Sequence, residues 1–123
     1  MLLAIDVGNT NTVFALYRGE EPVGQWRLST NRDRTAEEYA VALIQLMHLK
    51  GYSQDDVEAI VISSVVPQTV IGLRWMSRDF FGCRAFVVGE DLDFPIKIKL
   101  NNPREVGADR VVNALAAKKR YQP

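Results

Sequence analysis

Apolar residues fall in short runs between polar turns, and the spacing within the runs changes along the chain. Leu2–Ile5 is a solid apolar run, and a second one lies within Asn11–Tyr17, across a turn of Gly8, Asn9 and Thr10. Val23–Ser29 alternates, with Val23, Gln25 and Arg27 against Gly24, Trp26 and Leu28, the period of a half-exposed strand. Arg18-Gly19-Glu20-Glu21-Pro22 reads as the hairpin loop before it. The period then lengthens: Ala36, Tyr39, Ala40, Leu43, Ile44 and Met47 share one helical face. Thr35 with Glu38 spells a capping box at the start of that helix, and Gly51 stops it. Val57–Ile62 is apolar and rich in β-branched residues, which predicts a strand buried on both faces. Ser63-Ser64-Val65-Val66-Pro67 leads into a second helix with Pro67 in its first turn. The apolar positions of this helix, Val70, Leu73, Trp75, Met76 and Phe80, run to Gly82. Arg84–Val88 is a fifth strand, and a last helix is predicted from about Pro103 to Tyr121.

Strand, strand, strand, helix, strand, helix, strand, helix is an α/β order. Three antiparallel strands followed by crossover-linked parallel ones give a mixed five-stranded sheet, the arrangement of a ribonuclease H-like half. Ligands of open α/β sheets sit beyond the carboxyl ends of the strands. Asp6, Ser63 and Ser64 all end predicted strands and are expected on one edge.

The 123 residues suit a single domain, and 47% hydrophobic content suits a soluble core. Fifteen basic residues balance fifteen acidic ones, which argues against nucleic acid or a membrane surface as partner. Lys118-Lys119-Arg120 reads as a solvated helix end. Cys83 is the only cysteine, so there is no internal disulfide; beside Phe80, Phe81 and Phe86 it reads as core or near-core rather than as a nucleophile. His48, the only histidine, is expected near solvent at a helix end, without metal-ligating neighbours. With no charged leader and no apolar run of spanning length, the expected compartment is the cytoplasm.

Two stretches carry candidate chemistry. In the first, Asp6 is delivered to a turn whose Gly and Asn tolerate positive φ, and Asn9, Thr10, Asn11 and Thr12 add side-chain donors to the backbone amides. A concave set of donors beside a carboxylate suits a phosphate chain carrying a divalent metal. The second stretch is Asn101-Asn102-Pro103-Arg104-Glu105-Val106-Gly107-Ala108-Asp109-Arg110. Here Asp109 can receive a proton from a hydroxyl while Arg110 grips a carboxylate. Equally, the couplet can be a first-turn anion and an exposed helical cation.

Asp6 to Thr12, taken with Gly107-Ala108-Asp109-Arg110, resembles the type III pantothenate kinase family, within the superfamily of actin, sugar kinases and heat-shock ATPases. Arg34-Thr35-Ala36-Glu37-Glu38-Tyr39, Ser63 to Pro67 and Asn102 to Val106 extend the resemblance along the chain. It implies ATP-dependent phosphorylation of pantothenate at its primary hydroxyl, giving 4'-phosphopantothenate, the first step toward coenzyme A. By the resemblance Asp6, Val7, Gly8, Asn9, Thr10, Asn11, Thr12 and Val13 form the phosphate-binding loop, with Asp6 near Mg2+. Gly107, Ala108, Asp109 and Arg110 form the pantothenate segment, with Asp109 as proton acceptor. Many members carry a pantothenate-contacting tyrosine where this chain has Leu100. A homodimer and a monovalent cation, K+ or NH4+, are also implied. The chain stops at Pro123, where the family enters a second lobe, so residues 1–123 are expected to be the N-terminal lobe of a two-lobed kinase, inactive alone.

No Gly-x-x-x-x-Gly-Lys-Ser/Thr loop is present, which excludes a P-loop as the phosphate site. Two other classes compete. One is a non-catalytic regulatory or accessory-factor relative of the family. The other is a ribonuclease H-like nuclease, which needs several carboxylates around two metals, whereas only Asp6 is well placed on a strand.

Overall fold

The computed structural model describes residues 1–91. Leu100, Gly107, Ala108, Asp109, Arg110 and the helix expected over 103–121 lie outside the described residues. Five strands and two helices follow in the predicted order: β1 (Leu2–Val7), β2 (Asn11–Arg18), β3 (Glu21–Ser29), α1 (Ala36–Leu49), β4 (Ala59–Ser64), α2 (Val70–Phe80) and β5 (Ala85–Val87). They form one sheet in the order β3-β2-β1-β4-β5. β1, β2 and β3 are antiparallel neighbours, and β4 joins β1, and β5 joins β4, in parallel. This is the arrangement expected of the ribonuclease H-like half.

Strand alternation divides the apolar residues between two faces. Leu3, Ile5, Val7, Phe14, Leu16, Ile60 and Ile62 join Tyr39, Leu43, Met47, Leu73 and Met76 of the helices in the main core. Leu2, Ala4, Ala15, Tyr17, Ala59, Val61 and Phe86 form a second cluster, to which neither α1 nor α2 contributes. β1 and β4 are thus apolar on both faces because both faces are buried.

Local chemistry sets the helix ends. The Thr35 hydroxyl accepts from the Glu38 N–H at 3.1 Å, and the Glu38 carboxylate accepts from the Thr35 N–H at 2.8 Å. At the other end Gly51 takes φ +89°, and the Gly51 and Tyr52 amides close back on the His48 and Met47 carbonyls. Thr35→Ala removes one arm of the box and is expected to destabilise the fold by about 1 kcal/mol, read from chemical denaturation; an unchanged midpoint contradicts the cap's contribution.

α2 turns only part of its apolar residues inward. Leu73, Met76 and Ser77 face inward and Val70 is half-buried, whereas Trp75 is 49% exposed and Phe80 37%. Trp75 follows Leu73 by two residues, about 200° around a helix, and so faces away from the sheet. Phe81, one residue past α2, is buried. Cys83 packs half-buried against the main core, its thiol donating to the Val57 carbonyl at 3.0 Å. Burial pushes that thiol above its ordinary pKa, in keeping with a non-nucleophilic cysteine.

Candidate active site

One edge of the sheet gathers the turn and its neighbours. β1 and β4 end there together, with Asp6 paired to Ser63 and Val7 to Ser64. β2 begins there, Val13 opposite Asp6 and Thr12 opposite Val7, and β3 ends there with Ser29 opposite Asn11. α1 and α2 follow β3 and β4 and therefore start at this edge, adding the positive ends of their dipoles. The expected convergence of Asp6, Ser63 and Ser64 is present.

Strand boundaries differ from expectation in a way that matters here. β1 runs through Val7 and β4 through Ser64, so Asp6 and Ser63 are held in the sheet rather than in loops. The extension follows from pairing: the Val7 carbonyl accepts from the Val65 N–H at 3.1 Å, beyond the strand ends. Asp6 shares its strand face with Leu2 and Ala4, and Ser63 shares its face with Ala59 and Val61, so both belong to the side opposite α1 and α2. Ser64 has a local task. Its hydroxyl accepts from the Val66 N–H at 2.9 Å and meets the Thr69 hydroxyl at 3.2 Å, bracing the entry to α2.

The turn does not use positive φ. Among the described residues positive φ is confined to Gly19, Gly51, Gly82 and Gly89. The Gly8 N–H donates to the Asn11 carbonyl at 2.9 Å, and a Cβ on residue 8 would stand 3.2 Å from that same oxygen. Glycine eases a close approach here and does not serve handedness. Asn9 and Thr10 are exposed, while Thr12 is fully buried.

Sequence reasoning passed over Thr30. Its N–H donates to the Thr10 carbonyl at 2.8 Å, its hydroxyl donates to the Gly8 carbonyl at 2.7 Å, and it lies 2.9 Å from the Thr12 hydroxyl. The available signal was a polar residue directly after β3, which reads in sequence as no more than a strand end. Nearby, Arg34 donates to the Ser29 carbonyl at 3.1 Å and sits 5.7 Å from the centre of the Tyr39 ring. Burial raises the Tyr39 phenol above its ordinary pKa, and the Arg34 charge partly offsets this. Among the described residues the buried Tyr39 hydroxyl has no hydrogen-bond partner. Tyr39→Phe deletes that unsatisfied group and is expected to leave stability unchanged or higher by up to about 1 kcal/mol; a clear loss in chemical denaturation contradicts this.

Among the described residues no group of three His, Cys, Asp or Glu side chains could hold a metal ion. A single carboxylate at the strand edge still fits Mg2+, which keeps several waters and is held largely by the phosphates it accompanies. A groove of about 530 Å3 lies elsewhere, along α2 and the edge strand β5, between Arg74, Trp75, Arg78, Arg84 and Asp91. Its charges are engaged internally: Arg74 reaches Asp91 at 2.9 Å, and Arg84 lies over the Phe86 ring at 4.8 Å. The turn and its hydrogen-bonding groups lie away from this groove, at the strand edge that holds Asp6. Among the described residues no helix is long and apolar enough to cross a membrane.

A family model described as type III pantothenate kinase matches residues 2–123. The chain belongs to the type III pantothenate kinase family. Curated type III pantothenate kinases resemble it throughout: that of Rhodospirillum rubrum is 55% identical over 99% of this chain and 48% of its own length. That of Paramagnetospirillum magneticum is 50% identical, covering 99% of this chain and 47% of its own length. The chain thus spans about half the length of the type III pantothenate kinases it matches. Among solved structures, a protein from Porphyromonas gingivalis assigned as an N-acetylglucosamine kinase superposes with a TM-score of 0.53 at 18% identity, covering 72% of this chain and 33% of its own. That likeness is one of fold alone.

Proposed function

We propose that this chain supplies the phosphate-binding half of an enzyme that transfers the γ-phosphoryl group of ATP to the primary hydroxyl of pantothenate. Membership of the family supports this, and the single structural observation behind it is the edge that joins Asp6 to the Gly8–Thr12 turn. Phosphoryl transfer asks for positioning and charge neutralisation more than for covalent help. Backbone amides and the hydroxyls of the turn would receive phosphate oxygens. Asp6 would hold Mg2+, which when bound neutralises charge on the phosphates.

Asp109 is assigned as the acceptor of the pantothenate hydroxyl proton. Arg110 is assigned to the substrate carboxylate or to phosphate charge, with Gly107 and Ala108 letting the substrate approach. Leu100 would give pantothenate an apolar contact in place of a tyrosine. The proposal extends to a homodimer, to K+ or NH4+ as a further cation, and to a cytoplasmic location. The test is pantothenate-dependent ADP release by a polypeptide of the relatives' full length, expected with Mg2+ present. MgATP binding without pantothenate-dependent turnover would instead favour an accessory-factor relative.

A further inference from the structure

The geometry points to Thr30 as a positioning residue for the phosphate-binding turn, holding the Gly8 peptide so that the Asn9 amide faces an incoming phosphoryl oxygen. This rests on the kinase reading above and adds a residue outside every motif that led to it.

Proton bookkeeping decides the direction of each bond. The Gly8 carbonyl, 2.7 Å from the Thr30 hydroxyl, can only accept, so the Thr30 proton goes there. In the 2.9 Å contact between the Thr30 and Thr12 hydroxyls, Thr12 is then the donor. Thr12 is fully buried, so its hydroxyl needs this acceptor. A trans peptide points its C=O and N–H in opposite directions. Drawing the Gly8 carbonyl toward Thr30 therefore turns the Asn9 N–H to the other side, at a residue exposed to solvent. The Thr10 carbonyl is drawn to the Thr30 N–H in the same way, which turns the Asn11 N–H away. Left to rotate, the Gly8 peptide could present its carbonyl to a polyanion. One residue thus sets the polarity of the turn, the Gly8 peptide through its hydroxyl and the Thr10 peptide through its backbone amide.

Thr30→Val keeps the shape and removes the hydroxyl, Thr30→Ser keeps the hydroxyl, and Thr30→Cys leaves only a weak donor. Each is made in a polypeptide of the relatives' full length and read by titration calorimetry with MgATP and by steady-state kinetics. Thr30→Val is expected to weaken MgATP binding and raise its KM by about tenfold or more, the size of one hydrogen bond, with KM for pantothenate within about twofold. Thr30→Ser should restore MgATP binding, and Thr30→Cys should fall between. If Thr30→Val does not fold, Thr30→Cys decides. Wild-type MgATP affinity in the deciding variant overturns the inference, as does an equal rise in both KM values, which marks a merely structural residue. Wild-type protein that binds MgATP but turns over no pantothenate fails the substrate reading while leaving the Thr30 test intact on binding alone. Wild-type protein that does not bind MgATP overturns both.

Discussion

Asp109→Asn, in a polypeptide of the relatives' full length, is expected to lower kcat for pantothenate phosphorylation by about 10²–10⁴-fold, the range of a lost general base. MgATP affinity should stay within about threefold, because the proposed role lies on the acceptor hydroxyl and not on the nucleotide. Asparagine keeps the shape of the side chain and loses only its capacity to take the proton. The chain has one histidine, and it lies at the far end of α1, its ring nitrogen 3.1 Å from the Gln54 amide oxygen. No histidine of these 123 residues lies near Asp109 in sequence. The measurement is steady-state turnover at saturating pantothenate and ATP, with MgATP affinity read separately. Near-normal kcat would remove Asp109 from the base role.

Asp6→Asn should cost about 10²–10³-fold in kcat, the scale of losing one preorganised electrostatic contact to the transferring group. Its signature differs from that of Asp109→Asn. Asp6 sits in register between Val13 on β2 and Ser63 on β4, so strand pairing on both sides holds its backbone. The substitution should therefore leave the fold intact and raise the Mg2+ concentration needed for half-maximal rate. Turnover measured across a Mg2+ titration separates the two variants: only Asp6→Asn shifts the midpoint. An unshifted midpoint would remove Asp6 from the metal.

Much of the fold was legible because local signals agreed with tertiary demands. The capping box of Thr35 and Glu38, the stop at Gly51 and the doubly apolar β4 each had one physical solution, and the structure adopts it. Boundaries were less legible. β4 reaches Ser64 because pairing with β1 carries two serines into the sheet, and no propensity argues for that. Trp75 counted among the apolar positions of its helix, which does not say which face it takes; its angle from Leu73 puts it outside.

The site was legible as a motif but not as a geometry. Gly8 suggested a positive-φ turn, and its role turned out to be the 3.2 Å approach to the Asn11 carbonyl. Thr30 was not legible, because its bonds to Gly8, Thr10 and Thr12 join residues about 20 positions apart in sequence, and only the pairing of β2 with β3 brings them together.

The most direct test is a crystal structure of a polypeptide of the relatives' full length with a non-hydrolysable MgATP analogue and pantothenate. The account predicts β- and γ-phosphates against the amides of the Gly8–Thr12 turn, and the primary hydroxyl of pantothenate within hydrogen-bond reach of the Asp109 carboxylate. Phosphates bound away from that turn, or the two segments on opposite sides of the molecule, would contradict it.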